Sequence, residues 1–254
     1  MRNILVSNDD GINFPGLFRL KQALDAVGKV TVIAPDREHT RSGHAKTMHK
    51  PLRIVQVELP DGSLAYSSSG APSDCVALAV LGFLPELPDL VVSGINLGAN
   101  VGQDITYSGT LAAAFEGTVS GIPSIAASLD TYEDGDFSYA ARFVARLAEE
   151  VLARGLPANV LLNVNIPHVP EGKIAGVEIT RLGRRLYRDQ LIKRKDPRGR
   201  DYYWIGGEWP TGHTGDEGTD FWALARNCIS ITPLRLDMTD HSFLKDLRNW
   251  VISP

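Results

Sequence analysis

Two adjacent carboxylates follow the first apolar run of the chain, at the point where a strand ends. The run at residues 4–6 stops at Ser-Asn-Asp-Asp-Gly, residues 7–11, here called the acidic loop, and a helical pattern begins near residue 16. Loops that leave the carboxyl ends of parallel strands line the ligand crevice of an open sheet. Asp9 and Asp10 would repel each other there and lose hydration, which favours a hard divalent cation with oxygen ligands. The competing interpretation is an ordinary solvated turn.

Two later loops offer chemistry that matches the acidic loop. The polar loop, residues 35–47, carries basic side chains and the hydroxyls of Thr40 and Ser42, so it can bring a neutral oxygen ligand and positive charge to an anionic substrate. The asparagine loop, residues 94–107, is rich in glycine, and Asn96 and Asn100 offer amide oxygens and nitrogens. A solvated surface loop is the alternative for the first, but a loop with the composition of the second is seldom a mere connection.

A helix of small residues follows the asparagine loop and begins at Ser108, Gly109 and Thr110. Unpaired backbone N–H groups, two hydroxyls and the positive end of the helix dipole make this start a cradle for phosphate. The stretch matches neither G-x-G-x-x-G nor the P-loop motif, which argues against a dinucleotide fold and a P-loop ATPase.

The elements that must position these loops alternate between strand and helix as far as about residue 170. This alternation predicts a three-layer α/β/α, Rossmann-like core with a mostly parallel sheet, and a β-hairpin at residues 52–68 is inserted in it. Beyond residue 170 we predict a long basic hairpin arm, a returning strand and a terminal helix. The chain therefore divides into a core with the active site, residues 1–170, and a second part, residues 171–254. Its basic arm is open to three interpretations: nucleic-acid binding, edge strands protected by charge, or an intersubunit arm that serves oligomerisation.

Composition limits the class of protein. The 254 residues are 43% hydrophobic and carry 26 basic and 30 acidic side chains, a net charge of −4. That balance argues against a nucleic-acid footprint over the whole surface and leaves room for a local basic patch. Cys75 and Cys228 lie far apart without metal-ligand spacing, which indicates buried, reduced thiols. With no secretory or transmembrane pattern, we expect a cytoplasmic protein without a membrane partner.

Six motifs in order resemble the SurE family, the survival protein E nucleotidases. They are N-D-D-G at residues 8–11, A-P-D-R-E at 34–38 with a following Gly-His, S-S-G-A-P-S-D-C at 68–75, S-G-I-N-L-G-A-N-V-G at 93–102, Y-S-G-T-L-A-A-A-F-E-G at 107–117 and I-S-I-T-P-L at 229–234. The resemblance runs from Asn3 to about Leu234 and so spans nearly the whole chain. The resemblance implies a SurE-like fold and a metal-dependent 5′-nucleotidase, often also active on 3′-monophosphates, that forms a homodimer or homotetramer.

The resemblance also implies a set of ligands for one divalent ion, Mg²⁺ or Mn²⁺. Carried over by position, these are Asp9, Asp10, Thr40 and Asn96. Thr40 stands where the family usually has serine, and Ser42, two residues on, is the alternative hydroxyl. His44 is interpreted as a residue that shapes the polar loop.

The expected reaction is hydrolysis of a nucleoside monophosphate to nucleoside and phosphate. Asp9 or Asp10 would take the proton of the attacking water, and the residues do not distinguish between them. We predict a rim near the nucleoside from Gly70, Pro72 and Asp74. The predicted catalytic residues are Asp9, Asp10, Asn96 and Ser108, and the predicted substrate-binding residues are Asn100, Ser108, Gly109 and Thr110.

Two alternatives to a 5′-nucleotidase stay open. One is a non-catalytic, nucleotide-binding regulatory protein, but a pure phosphate binder gains nothing from Asp9 and Asp10 unless a metal intervenes. The other is a phosphatase of polyphosphate or RNA ends that uses Arg184 and Arg185, for which binding would depend steeply on salt. No stable complex with nucleic acid is expected.

Overall fold

A computed structural model describes residues 1–39, 43–186, 189–207 and 211–252. The strands among them are β1 (Asn3–Ser7), β2 (Lys29–Pro35), β3 (Ile54–Glu58), β4 (Leu64–Ser68), β5 (Leu90–Leu97), β6 (Ser124–Asp130), β7 (Val160–Pro167), β8 (Gly176–Ile179), β9 (Arg185–Leu186), β10 (Asp189–Lys195), β11 (Asp201–Gly207), β12 (Thr211–Gly212) and β13 (Cys228–Arg235). The α-helices are α1 (Pro15–Leu24), α2 (Pro72–Leu78), α3 (Gly109–Val119), α4 (Ser138–Arg154), α5 (Asp220–Ala225) and α6 (Phe243–Leu247).

Nine of the strands form one sheet in the order β3-β4-β2-β1-β5-β6-β7-β13-β8. All neighbours in it run parallel except β3 with β4 and β7 with β13. The chain leaves β1 toward β2 on one side and later returns to β5 on the other side, so the strand order reverses between β1 and β5. Ligands of open α/β sheets bind outside the carboxyl ends of the strands at such a reversal.

Helices cover both faces of the sheet, which confirms the predicted three-layer α/β/α architecture. Alternate residues of β1 point to opposite faces: Ile4 and Val6 pack into the core beneath α1 and α4, and Leu5 packs into the core beneath α2. Cys75 and Cys228 are buried free thiols, as predicted. Among the described residues, no helix combines the length and the apolar character that crossing a membrane requires.

Strand β5 runs farther than its apolar residues indicate. The sequence predicts that the strand ends at Ser93, but it continues to Leu97 and so includes the start of the asparagine loop. Its register with β6 shifts between Ser93 and Asn96. Gly94 permits this path because its φ is +137° and because any Cβ there would collide with the carbonyl oxygen of Ala127.

The last third of the chain adds strands to the central sheet and also forms a separate hairpin. Strands β8 and β13 complete one edge of the central sheet, whereas β10 and β11 pair antiparallel as the predicted hairpin arm in a sheet of their own. The predicted hairpin at residues 52–68 is also present, as β3 and β4. The terminal helix α6 is shorter than predicted and ends at Leu247, although the rings of Phe243 and Trp250 still pack edge to face, 5.9 Å apart.

Candidate active site

The acidic loop and the asparagine loop meet at the carboxyl ends of β1 and β5. Asn8 closes the acidic loop: its Nδ2 donates to the carbonyl of Gly11 at 3.0 Å, and its Oδ1 accepts from the N–H of Gly11 at 3.2 Å. The backbone N–H of Leu97 lies close enough to Asp10 to act against the rise in its pKa, so the acidic loop and the asparagine loop adjoin there. The two loops that carry Asp9, Asp10 and Asn96 are therefore neighbours in the fold.

Asp9 is buried and is held by the start of α3. Its Oδ1 accepts a hydrogen bond from the Thr110 hydroxyl at 2.6 Å, and only 5% of the residue is exposed. Gly109 lies so close that a Cβ there would stand 2.7 Å from Cβ of Asp9. Burial raises the pKa of Asp9 above its ordinary value, and the hydroxyl and N–H of Thr110 partly offset that rise.

Asp10 has a buried carboxylate oxygen, Oδ2, without a hydrogen-bond partner among the described residues. Burial in the first place, and then the negative charges of Asp9 and Glu38, raise the pKa of Asp10 to about 8. Two neighbouring carboxylates with an unused buried oxygen are what a hard divalent cation would neutralise. The residues present therefore fit a bound Mg²⁺ or Mn²⁺.

Asn96 directs its amide nitrogen back into its own loop. Nδ2 donates to the carbonyls of Leu97 at 3.3 Å and Gly98 at 2.7 Å, which leaves Oδ1 as the group that can serve as a neutral ligand. Thr40 and Ser42 lie outside the described residues. The residues that flank them are hydrogen-bonded to the loops of the site. The backbone N–H of His39 donates to the carbonyl of Asp9, and the backbone N–H of Gly43 donates to the carbonyl of Tyr107.

The predicted phosphate cradle at the start of α3 already makes contacts within the protein. The Ser108 hydroxyl accepts from the N–H of Leu111 at 3.1 Å as a helix cap, and the Thr110 hydroxyl donates to Asp9. The serine retains its own O–H as a donor, whereas that of Thr110 is engaged. The contacts of Ser108, Gly109 and Thr110 with phosphate stay predictions.

Asn100, also predicted to bind substrate, is buried and fastens the asparagine loop to the sheet. Its side-chain nitrogen donates to the hydroxyl of Ser128 at 2.9 Å, and its backbone N–H donates to Oδ1 of Asn165 at 2.8 Å. The side chains of Asn163 and Asn165 donate in turn to its carbonyl. This network fastens the loop to β6 and β7, and the phosphate contact of Asn100 stays a prediction.

Asp74, predicted for the rim near the nucleoside, is buried and serves the start of α2. Its two oxygens accept backbone hydrogen bonds from Ala71 and Thr47, both at 2.9 Å. Gly70 packs against it, since a Cβ at Gly70 would lie 2.7 Å from that of Asp74. Asp74 therefore has two structural roles: it caps the start of α2, and it attaches the polar loop to that helix.

Glu116 on α3 holds the polar loop from the other side. His44 Nε2 lies 3.1 Å from Oε2 of Glu116, and Lys46 Nζ lies 2.7 Å from Oε1. The contact agrees with the prediction that His44 shapes this loop. The hydrogen bond from His44, followed by that from Lys46, holds the pKa of Glu116 below its ordinary 4.5 although burial opposes the shift.

The replacement Glu116→Gln is expected to lower stability more at neutral pH than in acid. A carboxylate whose pKa is depressed by folding stabilises the fold above its unfolded pKa, and that contribution is lost as the pH falls through the folded value. The free energy of unfolding should therefore differ most between the two proteins near neutral pH, and the difference should shrink below pH 4.5. Urea titrations across this range measure it; a constant difference would contradict the assignment.

Asp220, which the sequence analysis did not single out, joins the end of the chain to the asparagine loop. It is fully buried, and its oxygens accept from the N–H groups of Gly102 at 2.7 Å and Gly183 at 2.8 Å. Burial raises the pKa of Asp220, and these N–H groups partly offset the rise. The sequence feature that could have pointed to Asp220 is its position just before the predicted helix at Phe221, because aspartate is favoured at the start of a helix.

The variant Asp220→Ala is expected to lose about 3 kcal/mol of stability because the buried N–H groups of Gly102 and Gly183 would remain unpaired. Its kcat/KM should fall as well, since Gly102 belongs to the asparagine loop. Urea unfolding measures the first effect and phosphate release the second. As a control, Glu217→Ala removes an exposed side chain of the same segment and should stay within about 0.5 kcal/mol of the parent protein.

The chain matches known proteins over most of its length. The family model described as "Survival protein SurE" matches residues 4–189. The 5′-nucleotidase SurE of Herpetosiphon aurantiacus is 53% identical over 247 residues, which cover 96% of each chain, and that of Chloroflexus aggregans is 50% identical over 249 residues, 97% of this chain and 98% of the relative. The crystal structure of the SurE protein from Aquifex aeolicus superposes with a TM-score of 0.83 at 39% identity and covers 97% of this chain and 98% of its own. Over nearly its whole length, therefore, the chain belongs to the SurE family.

Proposed function

We propose that this protein is a metal-dependent 5′-nucleotidase that hydrolyses nucleoside 5′-monophosphates to nucleoside and phosphate. The observation that carries the proposal is the buried oxygen of Asp10 beside Asp9, which has no hydrogen-bond partner in the described part of the chain and lies at the point where the strand order reverses. Relatives that bear the name 5′-nucleotidase SurE are about half identical to the chain and match almost all of it. Activity on 3′-monophosphates is part of the same proposal.

One divalent ion, Mg²⁺ or Mn²⁺, would be held by Asp9, Asp10, Asn96 and the hydroxyl of Thr40, with Ser42 as the alternative. Such an ion supplies Lewis-acid stabilisation of the negative charge on a phosphoryl group. The chemistry of the donor set supports this choice, since carboxylate, amide and hydroxyl oxygens are the ligands of hard cations.

The remaining catalytic work falls to side chains and backbone of this chain. Asp9 or Asp10 would accept the proton of the attacking water. Ser108, Gly109 and Thr110 would orient the phosphate through the N–H groups and the positive end of α3, and Asn100 would hold the asparagine loop beside it. Because these groups are fixed before substrate arrives, little reorganisation opposes the reaction.

We further propose that residues 171–254 serve assembly into a homodimer or homotetramer, in the cytoplasm. The hairpin of β10 and β11 leaves large side chains in solvent, among them Leu191, Trp204 and Ile205, each with more than half of its surface exposed. Exposed apolar clusters of this kind are typical of interaction surfaces. Sedimentation of the intact chain would test the proposal, and a monomer at micromolar concentration would overturn it.

The activity is tested by phosphate release from nucleoside 5′- and 3′-monophosphates, with inorganic polyphosphate and a 5′-phosphorylated RNA as further substrates. Protein treated with EDTA should be inactive, and added Mg²⁺ or Mn²⁺ should restore release from the 5′-monophosphates. Release that is independent of metal would overturn the metal assignment. Folded protein that releases phosphate from none of the nucleotides would overturn the enzyme assignment.

A further inference from the structure

A cavity of about 280 Å³ opens at the carboxyl ends of the strands, on the same side as the candidate active site. Its walls come from the asparagine loop, the end of β6, the segment that follows β6, strands β9 and β12, and helix α5. The side chains used below are Asp130, Tyr132, Arg185 and Phe221. Neither the predicted site residues nor the expected rim at Gly70, Pro72 and Asp74 includes any of them.

The cavity adjoins the predicted metal site through Tyr132. The ring of Tyr132 packs against Gly98, where a Cβ would stand 3.0 Å from Cε1 of the ring. The carbonyl of Gly98 accepts the hydrogen bond from Nδ2 of Asn96. One aromatic ring therefore lies against the backbone that orients a predicted metal ligand, and 59% of the tyrosine remains exposed.

Asp130 lies near Asn96, a predicted metal ligand. Its neighbour Ser128 stands directly opposite Asn96 in the sheet. Asp130 is two residues farther along β6, which places its Cα roughly 8 Å from that of Asn96 by ordinary strand spacing. Burial raises the pKa of Asp130, and the positive charges of Arg185 and His168 offset that only in part. A carboxylate in such surroundings is stabilised by N–H or O–H donors of a ligand.

The cavity is not built for a second anion, because the arginine among its described lining residues, Arg185, is already engaged. Nε of Arg185 lies 3.0 Å from Oδ2 of Asp104, and only 9% of the arginine side chain is exposed. Its guanidinium also lies over the ring of Phe221, 6.0 Å from the centroid, and donates to the hydroxyl of Tyr132 at 3.4 Å. The space therefore suits a neutral, planar ligand with hydrogen-bond donors along one edge.

We infer that this cavity binds the nucleobase of the substrate. The face of the base lies on the ring of Tyr132, and the N–H groups along its edge donate to the carboxylate of Asp130. Bases stack on aromatic rings regardless of their identity, whereas a carboxylate accepts only from edges that present donors. Guanine, with an N–H beside an amino group, offers Asp130 the most donors. The inference rests on the proposed function, since it names what holds the nucleoside half of the same substrate.

The test compares guanosine 5′-monophosphate with ribose 5-phosphate, which has the same phosphate ester but no base. Tyr132→Ala should raise KM for the nucleotide about tenfold, and Tyr132→Phe should retain the parental value because the ring remains. Asp130→Asn should raise the same KM about tenfold. Neither Tyr132→Ala nor Asp130→Asn should change kcat/KM for ribose 5-phosphate, and Glu133→Gln, an exposed change in the same loop, should alter neither substrate.

Equal losses on both substrates would overturn the inference, because the cavity would then only support the asparagine loop. An unchanged KM in Tyr132→Ala or Asp130→Asn would overturn it as well. If the parent protein released phosphate from no nucleotide, the proposed function would fail separately. Calorimetric binding of guanosine would then decide the inference: loss of binding in Tyr132→Ala but not in Tyr132→Phe would support it, and no binding to the parent protein would overturn it.

Discussion

Replacing Asp10 with asparagine is expected to abolish phosphate release and, at the same time, to stabilise the metal-free protein. Activity should fall by about 10³-fold or more, because the variant loses a charged ligand of the metal and a candidate base. Stability should rise because asparagine keeps the shape of a carboxylate that is buried beside Asp9 and whose Oδ2 has no partner among residues 1–39, 43–186, 189–207 and 211–252. A gain of roughly 1 kcal/mol would raise Tm by about 2–4 °C in a chain of this size.

The two effects are measured together by phosphate release and by thermal unfolding in EDTA and in Mg²⁺. The parent protein should gain stability when Mg²⁺ replaces EDTA, and Asp10→Asn should gain little, so the order of their Tm values should reverse. Glu149→Gln, an exposed change on α4, should behave like the parent protein in every condition. Full activity in Asp10→Asn, or equal stabilisation of both proteins by Mg²⁺, would remove the metal assignment.

The acidic pair could be predicted because its signal is local. A short apolar strand stops directly at Asp9 and Asp10, and loops at the carboxyl ends of parallel strands converge in any open sheet. The same reasoning predicts that Asn96 lies nearby, since its loop follows another buried strand. Most helices and strands were predicted for the same reason: they depend on apolar periodicity within a few residues.

The partners of the predicted residues could not be read from local patterns. Thr110 has the composition and position of a phosphate ligand, yet its hydroxyl donates to Asp9, 101 residues earlier in the chain. Asp220 accepts from Gly102 across 118 residues. Such contacts follow from which helices and strands become neighbours, and that order depends on the packing of the whole sheet.

Length was mispredicted where polar and glycine residues continue a strand. Residues Gly94 and Asn96 indicate a loop by composition, but β5 keeps pairing with β6 as far as Leu97 after a shift in register. Backbone hydrogen bonds, which do not depend on side-chain type, maintain the strand there. The consequence for the site is that Asn96 lies in the paired carboxyl end of β5, a central strand, and not in a loop.

The second large effect is expected from Gly109→Ala, a change of one methyl group beside Asp9. Because alanine favours helices more than glycine does, the substitution at the first residue of α3 should not weaken the helix itself. The new Cβ would lie 2.7 Å from Cβ of Asp9 and 2.9 Å from its Oδ2, so the carboxylate must move. A displacement of about 1 Å in a catalytic group can lower the rate about 10²-fold.

We therefore expect kcat/KM to fall by about 10²-fold in Gly109→Ala while the circular dichroism spectrum stays that of the parent protein. Affinity for Mn²⁺, measured by calorimetry, should fall in parallel if Asp9 is a ligand. Gly172→Ala is the matched control, because a Cβ at Gly172 meets nothing within 4 Å, and both properties should stay unchanged. If turnover were lost but Mn²⁺ affinity stayed unaltered, Gly109 would instead have a role in binding phosphate at the start of α3. The phosphate cradle and the metal site would then be functionally distinct.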